Sequence, residues 1–97
     1  MKILNKPLLN NFALKHVDST RALERWTNVV EDASWKTHND VKKEFPSSDY
    51  VGNQRYVFNI KGNKYRLVVV ILFTANLITI RFIGKHSDYE KIDCSKI

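Results

Sequence analysis

The chain has one cysteine, two prolines and three glycines among its 97 residues, and no long apolar run. A lone cysteine, Cys94, cannot close an internal disulfide, so its thiol content gives no sign of an oxidising compartment. The longest uninterrupted apolar stretch, Leu67 to Phe73, falls far short of the roughly 20 residues that a membrane-spanning helix needs. The opening Met1-Lys2-Ile3-Leu4-Asn5-Lys6-Pro7 lacks the apolar centre of a signal peptide, so the expected compartment is the cytoplasm, with no membrane partner. Gly52, Gly62 and Gly84 stand alone and form no phosphate-cradling loop. His16, His38 and His86 are scattered, and neither they nor Cys94 nor the acidic residues fall at metal-ligand spacing. No metal and no cofactor are expected, and no Ser-His-Asp arrangement has a supporting motif.

Acidic residues are also in short supply. Sixteen Lys and Arg stand against ten Asp and Glu, a net charge of +6, with a pI near 9.6. Such a surface attracts polyanions, whether nucleic acid, a ribosome, an anionic membrane or an acidic partner. With 43% apolar residues the chain is outside the disordered class. Its length predicts one domain over residues 1–97 with a single core.

Residues 2–5 read as a short strand. Pro7 suits the first turn of a helix, where its missing N–H costs nothing, and Leu8, Leu9, Phe12 and Ala13 carry that helix to Lys15 or His16. Asp18 or Ser19 can cap a second helix with the stripe Leu23, Trp26, Val29, Val30, Ala33. Thr37 with Asp40 resembles a capping box before a short third helix stopped by Pro46. Residues 46–54 read as a polar loop. From Arg55 the hydrophobic period changes from about 3.6 to 2. Strands are expected over 55–60, 64–73 and 77–83, joined by a tight hairpin at Lys61-Gly62-Asn63 and a turn at Thr74-Ala75-Asn76. Gly84 ends the third strand, and Ser87 or Asp88 starts a last helical turn. The fold class is α+β, with N-terminal helices on one face of a small, mainly antiparallel sheet.

Strand side chains alternate between faces. One set, Tyr56, Phe58, Ile60, Tyr65, Leu67, Val69, Ile71, Phe73, Ile78, Ile80 and Phe82, is wholly apolar or aromatic and faces the helices. The other holds Arg55, Val57, Asn59, Lys61, Lys64, Arg66, Val68, Val70, Leu72, Leu77, Thr79, Arg81 and Ile83. Its cations recur across the strands with no acid among them. Like charges facing one another destabilise a sheet, which favours an absent polyanion over a merely solvated face. Lys61 should approach Lys64, Asn59 should lie near Arg66, and Arg81 can lie near Arg66 at the same end. The uncharged end, Val68, Val70 and Leu72, needs a cover from a C-terminal helix or a partner.

Without a metal, phosphodiester chemistry can still use the 2′-OH of RNA as nucleophile. It then needs a base, an acid for the leaving oxygen, and cations to hold the phosphorane. An arginine fork donates two bonds to one phosphate. His86, just past the third strand, is a candidate proton carrier, and Tyr89 follows one helical turn later. An exposed loop histidine is the alternative for His86, and it is the reading that suffices for His16 and His38.

The run Val57-Phe58-Asn59-Ile60-Lys61-Gly62-Asn63-Lys64-Tyr65-Arg66-Leu67-Val68-Val69, followed by Ile80-Arg81-Phe82-Ile83-Gly84-Lys85-His86 and Tyr89-Glu90-Lys91-Ile92, resembles the HigB toxin family, the RelE-like branch of bacterial type II toxin–antitoxin systems. Lys6-Pro7-Leu8 and the helical Trp26 and Trp35 fit as well, so the likeness covers nearly the whole chain. It implies a β-α-α-β-β-β core and metal-independent mRNA cleavage, often with the ribosome presenting the message in its A site. It also implies neutralisation by a HigA-type helix-turn-helix antitoxin. The Tyr-Arg-Leu step maps the phosphate-stabilising arginine to Arg66. The catalytic candidates are His86, Arg66, Tyr89 and Lys64, and the RNA-binding candidates are Lys61, Arg81, Lys85, Arg55, Asn59 and Lys91. RelE-type toxins carry an arginine after Gly-Lys and a tyrosine six residues later, whereas here His86 takes the first position and Tyr89 follows after three. That departure makes His86 the better base candidate. A non-catalytic RNA- or ribosome-binding module, or an interaction domain docking an acidic partner, are the competing readings.

Overall fold

A five-stranded sheet in the order β1-β5-β4-β3-β2 organises the protein. The computed structural model describes residues 1–97. The strands are β1 (Lys2–Leu4), β2 (Asp49–Gly52), β3 (Arg55–Ile60), β4 (Tyr65–Leu72) and β5 (Leu77–Lys85), and the helices are α1 (Lys6–Lys15), α2 (Thr20–Asp32), α3 (His38–Glu44) and α4 (His86–Tyr89). β1 runs parallel to β5, and every other pairing is antiparallel. The first three helices cover one face of the sheet, and the core lies between. It gathers Leu9, Leu23, Trp26, Val30, Trp35 and Val41 against Phe58, Leu67, Val69, Ile78 and Ile80.

Local chemistry explains most boundaries. α2 buries Leu23, Trp26 and Val30, spaced by three and four residues along one stripe. The α-amino nitrogen of Met1 donates to the carbonyls of Val30, Glu31 and Ala33 at 3.0, 3.2 and 2.8 Å, placing a cation at the negative end of α2. The capping box of α3 forms as expected. Thr37 Oγ1 accepts from the Asp40 amide, and Asp40 Oδ2 accepts from the amides of Thr37 and Lys36, at 3.2 and 2.8 Å. The helix stops before Pro46.

The start of α2 departs from expectation. Ser19 occupies the cap position but its hydroxyl donates to the His16 carbonyl at 2.7 Å, and no side chain caps the helix. The Asp18 carboxylate turns to the sheet instead, accepting from Tyr65 Oη at 2.6 Å and pairing with Lys64 Nζ at 2.5 Å.

Residues 46–54 are not all loop. β2 pairs with β3 through a two-residue turn at Asn53 and Gln54, both at positive φ (51° and 65°). Positive φ at both central positions matches the twist of the flanking strands. Asp49 lies opposite Val57, so the added strand brings an acid to the outer face that the other three strands lack.

A β-bulge corrects the two-face pattern. Val69 pairs with Ile80 and Val68 with Phe82, leaving Arg81 as the extra residue. Alternation therefore shifts by one. Ile83, expected outside, is 9% exposed and joins the core. Phe82, expected inside, turns outward with its ring against Gly84. β5 also runs through Gly84 to Lys85, where the sequence suggested a stop.

The uncharged part of the outer face is covered only in part: Val68 is buried, whereas Val70 and Leu72 are partly exposed. Val68 and Val57 are 0% and 4% exposed. The last residues cross back over β3: Asn53 Nδ2 donates to the Ser95 carbonyl at 3.0 Å, and Arg55 Nε and Nη2 donate to Ile97 O at 3.1 and 2.8 Å.

Candidate functional site

Asn59 on β3 sits directly across from Arg66 on β4, and Arg66 sits across from Gly84 on β5. The register thus centres the outer face on one arginine. Its Nη1 donates to Asn59 Oδ1 and to Asn63 Oδ1. No other protein atom accepts from its Nε or Nη2, and no carboxylate lies within 4.0 Å. Its carbon Cζ lies 5.9 Å from the ring centre of Tyr89, a cation–π contact worth about 0.5–1 kcal/mol. Arg66 is therefore half-buried, held in place and electrically uncancelled.

The short helix α4 carries the proton-bearing groups to the same end. It begins where β5 ends, so Lys85, His86 and Tyr89 follow Gly84 directly. The His86 and Tyr89 rings lie 6.4 Å apart. His86 Nε2 is 3.0 Å from Glu90 Oε1. Tyr89 Oη lies 3.4 Å from Cys94 Sγ. That hydrogen bond, then burial, pushes the phenol up to about 12, and nearby Arg66 only partly opposes the shift. Tyr89 accordingly stays a neutral phenol with a proton to give near pH 7.

The other expected residues are distributed more widely. Lys64 Nζ pairs with Asp18 on the helix side, so it turns away from Arg66 rather than toward it. The Lys64 and Tyr65 hydrogen bonds pull the Asp18 carboxyl down to about 2, and Asp18 raises Lys64 in return. Arg55 lies opposite Val70, four residues along β3 from Asn59, and its guanidinium is occupied by the carbonyls of Ile97 and Asn53. Arg81 stands at the bulge beside Val68 and Val69, whereas Arg66 pairs with Gly84, so the two are separated along the sheet. Lys61, Lys85 and Lys91 are exposed around the site. Lys61 sits in the β3–β4 turn at φ 53° and, unlike Lys64, has no ion pair.

Three participants escaped the sequence reading. Asn63 looked like turn filler, although an asparagine three residues before an arginine at a hairpin mouth can fold back onto it. Asp18 looked like a helix cap. Phe82 was assigned inward because a bulge leaves no mark on alternation. No group of three or more His, Cys, Asp or Glu side chains converges, and no helix is long and apolar enough to cross a membrane.

Comparison with known proteins matches the sequence to one family. Residues 19–92 match the family model described as HigB toxin, RelE-like toxic component of a toxin–antitoxin system. The mRNA interferase HigB of Escherichia coli O6:H1 (strain CFT073) is 26% identical over 94 residues, covering 95% of this chain and 91% of the relative. The mRNA interferase toxin HigB of Escherichia coli K12 is 28% identical over 93 residues, covering 93% and 88%. The mRNA interferase HigB of Shigella flexneri is similar to the same degree, 28% over 93 residues. With most of its length matched and the α+β fold in place, the chain belongs to the HigB toxin family, RelE-like toxic components of toxin–antitoxin systems.

Proposed function

We propose that this toxin is an mRNA interferase, an endoribonuclease that cleaves message by internal 2′-OH attack without a metal ion. The observation that carries the reading is Arg66, a guanidinium in no ion pair with free Nε and Nη2, beside the Tyr89 ring, which in turn lies 6.4 Å from the ring of His86. The printed names of the relatives, all mRNA interferases, support the substrate class.

In the proposed reaction Arg66 holds the scissile phosphate and stabilises the charge that builds on the phosphorane. His86 takes the proton from the 2′-OH as the oxygen attacks phosphorus. The P–O5′ bond breaks, and the leaving oxygen takes a proton from the Tyr89 phenol. The products are a 2′,3′-cyclic phosphate and a 5′-OH. Lys61, Lys85 and Lys91 steer the polyanion, and their contribution falls as salt rises. Arg81 extends the basic surface along β5. Arg55 is engaged by the C-terminal segment and Lys64 by Asp18, so both act in RNA binding only on release.

The ribosome presents the message in its A site, a HigA-type helix-turn-helix antitoxin neutralises the protein, and the cytoplasm is where both are met. The test is primer extension on ribosome-programmed message. The wild-type chain should leave cut ends, and Arg66→Ala and His86→Ala should each slow cutting by about 100-fold or more. Wild-type cutting by the folded double variant would reject the site. Salt-sensitive binding without cut ends would favour a non-catalytic RNA- or ribosome-binding module. Capture of a small acidic protein without RNA would favour an interaction domain.

A further inference from the structure

We propose that Asn59 and Asn63 are positioning residues that aim one edge of the Arg66 guanidinium at the phosphate while leaving its charge intact. The proposal rests on the reading of Arg66 as the phosphate-holding group.

A guanidinium offers five N–H bonds in one plane. Both hydrogens of Nη1 are taken, one by each asparagine oxygen. That end of the group is saturated. The remaining edge, Nε–H with one Nη2–H, presents two parallel donors that match two oxygens of one phosphate. The Tyr89 ring limits rotation from the side. Of the ways an arginine can meet a phosphate, the two asparagines leave the side-on fork.

The choice of amides matters as much as their placement. A carboxylate would accept the same bonds, but it would cancel the charge that the phosphorane requires. A neighbouring cation is spent in that way, Lys64 on Asp18 at 2.5 Å. Arg66 is held without such a partner. Asn59 reaches it by strand register. Asn63 reaches it because Lys61 and Gly62, at φ 53° and 65°, curl the turn back over the outer face. The β3–β4 turn thereby becomes part of the site.

The competing role for either asparagine is direct contact with RNA through its free NH₂, and a mutant cycle separates the two. Asn63→Asp and Asn59→Asp would be measured on ribosome-programmed message under single-turnover conditions, each in the wild-type and the Arg66→Ala backgrounds. Melting curves confirm that each variant is folded. In the wild-type background each aspartate should lower the saturating cleavage rate about 10- to 100-fold and shift half-saturation less than about threefold, because the lost charge acts mainly on the transition state. In the Arg66→Ala background the same changes should have less than about a twofold effect. An equal effect in both backgrounds, or a wild-type rate for both aspartate variants, overturns the proposal. If one variant fails to fold, the other decides. A wild-type rate for Arg66→Ala alone would instead sink the underlying reading of the site.

Discussion

The ring of Phe82 fills the space that a side chain at Gly84 would need. A Cβ placed on Gly84 would lie 2.6 Å from Phe82 Cζ, with Cε1 and Cε2 at 3.2 and 3.3 Å. Gly84 faces Arg66 across the strands, so the absent side chain keeps the surface beside the arginine flat. The backbone of Gly84 is not at positive φ, so this glycine is required for space rather than for conformation.

Gly84→Ala should therefore destabilise by overpacking, by about 1–3 kcal/mol. For a domain of this size that is a fall in Tm of roughly 4–8 °C per kcal/mol. Calorimetry would measure it. Adding Phe82→Leu should restore part of the loss, because the shorter side chain vacates the contact.

Arg55→Ala should release the C-terminal segment and leave cleavage within about twofold of wild type. The arginine makes two hydrogen bonds to Ile97 O and one to Asn53 O, and hydrogen bonds to a charged group contribute about 1.5–3 kcal/mol. Faster hydrogen exchange over residues 93–97 would report the release. A large loss of cleavage in a folded Arg55→Ala protein would instead place this residue on the RNA.

Asp18 makes acid stability a property of the junction between helices and hairpin. Its carboxyl is lowered to about 2 from the ordinary 3.8. A depressed folded value means the contribution is present above about pH 4 and disappears as pH falls toward 2. Asp40 and Asp93 shift in the same direction, so the informative quantity is the difference between proteins. Asp18→Asn should flatten the acid limb of the stability curve in that window and lower stability above it. It frees Lys64, so RNA affinity should not fall. Urea titrations from pH 2 to 6 with binding at pH 7 would check both halves.

Tyr56 sets the opposite limit. Burial pushes its phenol up to about 12, and its hydroxyl is hydrogen-bonded to His38 Nδ1. A raised folded value means this contribution is full below pH 10 and is lost as pH rises from 10 toward 12. Tyr89 shifts in the same sense. Tyr56→Phe should reduce the steepness of alkaline unfolding in that window, followed by circular dichroism.

Much of this architecture could be read from side-chain chemistry alone. The stripe Leu23, Trp26, Val30 announced α2, Thr37 with Asp40 announced α3, and the period-two run announced β3 and β4 with Asn59 beside Arg66. What escaped shares one cause: each outcome is decided by a pairing or contact that residue type alone does not announce. β2 is short and polar and exists because β3 offers it an edge. Asp18 abandons its helix for Lys64 and Tyr65, 46 and 47 residues away. The fork of Arg66 is legible as a charge, but its aim depends on where Asn63 returns from the turn.

The single extra residue at Arg81 has a consequence for what the protein can tolerate. Before the bulge β5 gives Ile78 and Ile80 to the core, and beyond it Ile83. Drawing Arg81 into regular pairing, with no residue looped out, would leave the composition of the strand unchanged. It would send Phe82 inward, turn Ile83 out, and move the bare position of Gly84 to the wrong side. The surface around Arg66 is thus a matter of phase: β5 can exchange one hydrophobe for another more readily than it can lose count.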